Sequence, residues 1–192
     1  MNTIRSFIAI NIPAKIRNKL EEIQDDLKKA NVTLQLVRPE NIHITLKFLG
    51  NVPVEDIKDI QEAINESISG FKIFSLSFEK IGVFPNPQYP RVIWVGIEKG
   101  VEELSLLNSK IENSISRFSL HQENRKFQPH LTIARVRSGK SHKKLVSILE
   151  ELKDIKAGEM LAEKICLMES MLKPQGAQYN TLKTFSLNHL KK

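Results

Sequence analysis

Two histidines of this 192-residue chain stand in the same local pattern, His43-Ile44-Thr45-Leu46 and His130-Leu131-Thr132-Ile133. Each is His, apolar, Thr, apolar inside a stretch that reads as a strand. A period of two puts His and Thr on one face and the aliphatic residues on the other, toward a core. The copies lie 87 residues apart, close to half the chain, which suggests an internal duplication in which each half supplies one His-Thr edge. Facing each other across a groove, the strands would set two imidazoles and two hydroxyls around one ligand. That set suits phosphodiester cleavage. One imidazole activates the nucleophile and the other protonates the leaving oxygen, both near neutral pH and without a metal. The Thr45 and Thr132 hydroxyls can donate to the non-bridging oxygens, where negative charge must be held.

Other chemistries lack their residues. The sequence has no HExxH, no paired CxxC, no phosphate-cradling Gly-rich loop ending in Gly-Lys-Ser/Thr and no Gly-x-Ser-x-Gly. No metal site and no cofactor are expected. The single cysteine, Cys166, falls in the apolar run Ile165-Cys166-Leu167-Met168 and reads as a core thiol. His121 and His189 lack a patterned neighbourhood, and His142, beside Lys143 and Lys144, reads as a surface residue.

The elements that must position the pair follow from periodicity. Ile4–Ile10 reads as a strand, and Pro13 opens a helix with apolar positions Ile16, Leu20, Ile23 and Leu27. Strands follow over 32–37 and 43–48, then a helix carried by Val54, Ile57, Ile60, Ile64 and Ile68 up to Gly70. Strands over 71–80 and 91–97 flank the proline-rich loop from Phe84 to Pro90. The second half gives a helix from Leu104 to Phe118, a strand from His130 to Val136, a helix from Leu145 to Leu152, and strands over 159–169 and 179–187. Strands and helices mix without strict βαβ alternation, so an α+β fold with mainly antiparallel sheets is expected. The length suits one domain over 1–192, made of two intertwined lobes.

The net charge is +7, and residues 121–144 hold seven Lys/Arg (Arg125, Lys126, Arg135, Arg137, Lys140, Lys143 and Lys144) against Glu123 alone. Such a segment attracts phosphate backbones. No apolar run approaches the ~20 residues of a membrane span, and no signal-like segment opens the chain, so a soluble cytoplasmic protein is expected.

The paired tetrapeptides resemble those of the two-histidine (2H) phosphoesterase superfamily and, within it, the RNA 2′,3′-cyclic phosphodiesterase family, also labelled 2′-5′ RNA ligase. The likeness extends to Arg5-Ser6-Phe7-Ile8-Ala9-Ile10, to Val37 through Gly50, to Gly82-Val83-Phe84-Pro85-Asn86-Pro87, to Pro90-Arg91-Val92-Ile93-Trp94, to Pro129 through Arg135, and to Glu169-Ser170 ahead of Gly176 and Tyr179. It runs from about residue 4 to residue 187. The resemblance implies a bilobal α+β fold, two mainly antiparallel sheets facing across a central cleft with helices on the outer faces. It implies metal-independent hydrolysis of RNA 2′,3′-cyclic phosphate ends to 2′-phosphomonoesters, with His43 as proton donor and His130 as proton acceptor. Thr45, Thr132 and Arg135 would bind the phosphate. Strict alternation sets Arg135 on the face opposite His130, so its role requires a bulge or a twist. The partner expected is RNA, the enzyme a monomer. The alternatives are 2′-5′ RNA ligation, a small cyclic nucleotide as substrate, and a non-enzymatic RNA-binding module. Phe48, Phe84 or Tyr89 can stack on a base, although each by itself reads first as core or loop packing.

Overall fold

The computed structural model describes residues 2–118, 120–121, 126–138, 143–174 and 176–188. Among the described residues nine strands and four α-helices follow one another: β1 (Thr3–Asn11), α1 (Ala14–Lys28), β2 (Thr33–Leu36), β3 (His43–Pro53), α2 (Ile57–Ser67), β4 (Phe74–Phe84), β5 (Val92–Ile97), α3 (Val101–Ser114), β6 (His130–Ser138), α4 (Lys143–Glu151), β7 (Lys156–Ala162), β8 (Lys164–Lys173) and β9 (Gly176–Ser186). The helical stripes fall where the apolar spacing puts them. Ile16, Leu20 and Leu27 of α1, and Leu104, Leu107 and Ile111 of α3, are fully buried. Truncating any of these to alanine would cost about 2–5 kcal/mol.

All strand pairs are antiparallel, in the order β7-β4-β5-β6-β3-β1-β8-β9, with β2 added beside β6. The resemblance implies two sheets facing across a cleft. The described strands instead form one hydrogen-bonded sheet whose halves meet at a single pair, Ile44 of β3 opposite Leu131 of β6. The connection at the other end forces the sheet to bend. The edge strand β7 and the far strand β8 are separated by Glu163 alone. Six strand spacings laid flat would span about 29 Å, whereas one intervening residue bridges about 7 Å. The halves therefore fold toward each other. Closure is reinforced where Leu187 N–H donates to Glu163 O at 2.7 Å and Asn188 exchanges hydrogen bonds with Phe71 and Ile73. The run expected as one strand over 159–169 is for this reason two, one for each half.

One apolar core gathers the inward residues of both halves with the helical stripes, from Ile8 to Leu187. A small second cluster of Phe7, Ala9, Cys166 and Met168, with Tyr179 against it, lies on the other side of β1 and β8.

Candidate active site

The Ile44–Leu131 pair joins the residues that follow each histidine, and both side chains are wholly buried. Antiparallel register then sets His43 across from Thr132, and Thr45 across from His130, on the opposite face of the sheet. That face opens as a cleft of about 620 Å³, lined by His43, Thr45, His130 and Thr132 together. The four residues singled out by their duplicated spacing thus converge on one site.

Arg135 also lines this cleft, and a bulge puts it there. Along β6, Thr132 pairs with Trp94 and Ala134 with Ile93, so Ile133 is an extra residue. Ile133 and Ala134 both turn into the core, and the alternation resumes with Arg135 on the face of His130. β3 repeats the device. Thr45 pairs with Ala9 and Lys47 with Ile8, so Leu46 is extra, and Phe48 takes the place in this half that Arg135 takes in the other. Phe48 lines the cleft and is 45% exposed.

Each bulge is held from behind by a buried amide. Gln24 of α1 donates through Nε2 to Ile133 O and Val37 O, both at 2.7 Å. Asn108 of α3 donates through Nδ2 to Leu46 O at 2.8 Å. Neither residue stands out in a search for catalytic types. The available signal is that each interrupts a core-facing helical stripe, Leu20-Ile23-Gln24-Leu27 and Leu104-Leu107-Asn108-Ile111. A buried amide is kept only where its hydrogen bonds are met.

The two imidazoles are oriented alike. Nδ1 of His43 lies 2.7 Å from Asn41 O, and Nδ1 of His130 lies 2.7 Å from Gln128 O. A carbonyl only accepts, so each Nδ1 carries the proton and donates it. This leaves Nε2 as the working nitrogen of both rings. Aromatic side chains pack against each ring. Phe7 stacks on His43 at 4.8 Å with Tyr179 edge-on at 5.3 Å. Phe84 meets His130 edge-on at 5.2 Å, and Trp94 lies behind at 6.3 Å. Gly82 makes room for that indole, since a Cβ there would fall 2.2 Å from Trp94 Cζ2. Burial pushes both histidines below their ordinary pKa of 6.5. The carbonyl bonds oppose this, while the His130 charge lowers His43 further and the Arg135 charge lowers His130.

Arg5 and Arg38 join Arg135 in the lining, and no carboxylate does so among the described residues. An anion is what such a cleft receives. His121 lines it too, beside Gly50, although nothing in its sequence neighbourhood marks it. Of the basic segment, Arg135 alone among the described residues reaches the cleft. Arg137 bonds Gln35, and Lys126, Lys143 and Lys144 line neither this cavity nor its neighbour. Glu123, Arg125, Lys140, His142 and His189 lie outside the described residues. Tyr89 is 73% exposed and away from the cleft. Cys166 is a free, buried thiol near Asn11 and Thr184. Among the described residues no three His, Cys, Asp or Glu side chains gather as a metal site would require, and no helix is long and apolar enough to cross a membrane.

A cleft with paired His-x-Thr strands, arginines and, among the described residues, no carboxylate has the residue types that a phosphoesterase uses. The family model described as LigT like phosphoesterase matches this chain twice in succession, over residues 10–94 and 95–179, with one His-x-Thr in each copy. The chain belongs to this family. It is 38% identical over 180 residues to a Methanocaldococcus jannaschii protein named RNA 2′,3′-cyclic phosphodiesterase, covering 94% of this chain and 99% of the relative. A Methanothermobacter thermautotrophicus protein of the same name is 34% identical over 184 residues, covering 96% and 99%. Among solved structures, a Thermus thermophilus protein superposes with a TM-score of 0.83 at 26% identity, covering 97% of this chain and 99% of that one. E. coli LigT complexed with 3′-AMP shares the fold at a TM-score of 0.78 and 24% identity, covering 97% and 99%.

Proposed function

We propose that this chain hydrolyses the 2′,3′-cyclic phosphate at the 3′ end of RNA to a 2′-phosphomonoester, with His43 and His130 as the proton-transfer pair. The observation that carries the reading is two imidazoles lining one cleft, each fixed through Nδ1–H to the carbonyl two residues before it, so that Nε2 is the nitrogen left for chemistry. The relatives named RNA 2′,3′-cyclic phosphodiesterase support this choice of substrate.

His130, neutral, takes a proton from water through Nε2 as the water oxygen bonds to phosphorus. His43, protonated, gives the Nε2 proton to the departing 3′ oxygen as the P–O3′ bond breaks. The Thr45 and Thr132 hydroxyls donate to the non-bridging oxygens, and the Arg135 guanidinium balances the charge that builds there. One turn leaves His130 protonated and His43 neutral, and exchange with solvent restores the pair. All these groups come from one chain, which supports a monomer. The free buried thiol suits a reducing compartment such as the cytoplasm.

The test is an oligonucleotide ending in a 2′,3′-cyclic phosphate, incubated with and without EDTA. The expected product carries a 2′-phosphate and a free 3′-hydroxyl, formed at the same rate in both. A 3′-phosphate would exchange the roles of the histidines. A rate lost to EDTA and restored by a divalent cation would replace this mechanism with a metal-assisted one.

A further inference from the structure

A second cavity of about 730 Å³ adjoins the cleft on the His43 side. The two share Arg38, Asn41, His43, Gly176, Ala177 and Tyr179 as a common wall, and His130 lines only the first. The wall is fastened where Asn41 Nδ2 donates to Ala177 O at 2.8 Å, tying the turn before β3 to the start of β9. Beyond it, Arg17 and Lys173 join Arg38 in the lining, against Glu40 as the one carboxylate among the described residues. Arg17 is held at the rim by a 3.3 Å bond from Nη1 to Ile12 O, which leaves most of its fork of donors for a ligand. Both cavities are of a size that holds a ligand on the scale of a nucleotide.

We infer that this second cavity seats the nucleotide that precedes the cyclic-phosphate end, its phosphodiester held by Arg17, Arg38 and Lys173. The inference rests on the reaction proposed above, which fixes the direction of the chain. In-line displacement puts the attacking water by His130 and the departing 3′ oxygen by His43. The ribose that carries this oxygen therefore lies toward His43, and so does the strand that continues from its 5′ carbon. The second cavity opens there, rimmed by three cations where a phosphodiester would pass. A substrate of two or more nucleotides gains these contacts, while a cyclic mononucleotide does not.

The experiment compares 2′,3′-cyclic AMP with a tetranucleotide ending in the same cyclic adenosine. For the wild type, kcat/KM favours the tetranucleotide, and the preference falls as salt rises. In Arg17→Gln/Lys173→Gln the tetranucleotide-to-mononucleotide ratio drops about tenfold, and the log–log salt slope flattens by about 1.4, roughly 0.7 for each lost phosphate contact on a single strand. Lys58→Gln/Lys99→Gln removes the same charge from positions lining neither cavity and keeps the wild-type ratio. An unchanged ratio in the first variant, or equal losses in both, overturns the inference. Should the wild type turn over neither substrate, the proposed reaction falls separately. Anisotropy binding of a 2′-phosphate-ended tetranucleotide to the same variants then still decides the second cavity.

Discussion

The side-chain amide of Gln24 donates to the main-chain carbonyl of Ile133 at 2.7 Å, from a helix packed behind the sheet to the extra residue of a bulge. Ile133 is followed at two residues by Arg135, which reaches the cleft because the bulge shifts the alternation by one. The same Nε2 also holds Val37 O, and Val37 N–H returns to Ile133 O at 2.9 Å. Gln24 thus closes a small buried network whose output is the direction of a guanidinium.

Replacing Gln24 by leucine should therefore act through Arg135. Arg135→Ala removes a charged donor at the developing negative charge and should lower kcat by about 10²-fold. Gln24→Leu should give part of that loss, together with about 1–3 kcal/mol of stability for two lost hydrogen bonds, since Ile133 O keeps only Val37 N–H and Val37 O loses its amide donor. The double variant decides the point. If Gln24 positions Arg135, adding Gln24→Leu to Arg135→Ala costs little further activity. Losses in kcat that multiply would mean that Gln24 merely supports the fold.

His43→Ala and His130→Ala should each lower kcat by about 10²–10⁴-fold with the fold retained, since each removes a proton-transfer group. Their pairwise combination should fall well short of the product of the single losses, because an acid without its base has little left to assist. Circular dichroism and turnover of a cyclic-phosphate oligonucleotide check this. A single variant with near wild-type turnover would remove that histidine from the mechanism.

Much of the site was legible because the His-x-Thr strands obey a period of two, and a repeat over half the chain is visible in one sequence. Arg135 was not placed by that rule. A bulge depends on partner register, and nothing in Thr132-Ile133-Ala134-Arg135 announces one. Gln24 and Asn108 were visible as polar breaks in apolar stripes, but their carbonyl partners lie 109 and 62 residues away. The division of β7 from β8 escaped for a different reason. Ala162-Glu163-Lys164 contains no Gly, Pro, Asn or Asp to mark a turn, and the break exists because the two strands serve opposite ends of the sheet. His121 reaches the cleft through a loop, where periodicity is silent.

Stability should depend on pH through the same two histidines. Burial lowers both folded pKa values, while the unfolded chain titrates near 6.5. Below 6.5 the unfolded state binds more protons than the folded one. The contribution is therefore complete above 6.5 and is lost as pH falls toward the folded values, with a slope approaching about 1.4 kcal/mol per pH unit for each histidine. Urea unfolding between pH 7 and about 5 should show this fall, and His43→Gln/His130→Gln should flatten it. A double variant with the wild-type slope would assign the dependence to other groups.

Catalysis should follow a bell in pH, because one imidazole must be neutral while the other is protonated. The free enzyme governs kcat/KM, and burial holds both of its histidines below 6.5, so that profile should peak on the acid side of 6.5. The pair interacts, since the His130 charge is one of the causes lowering His43, and the two limbs belong to the pair as a whole. Bound phosphodiester brings a negative charge to both rings and favours their protonated forms, so the kcat profile should lie at higher pH than that of kcat/KM. Arg135 gives a signed check. Its charge lowers the pKa of His130, and removing it in Arg135→Gln should move a limb of the kcat/KM profile to higher pH. A limb that moves to lower pH, or does not move at all, would mean that His130 is not among the groups the profile reports.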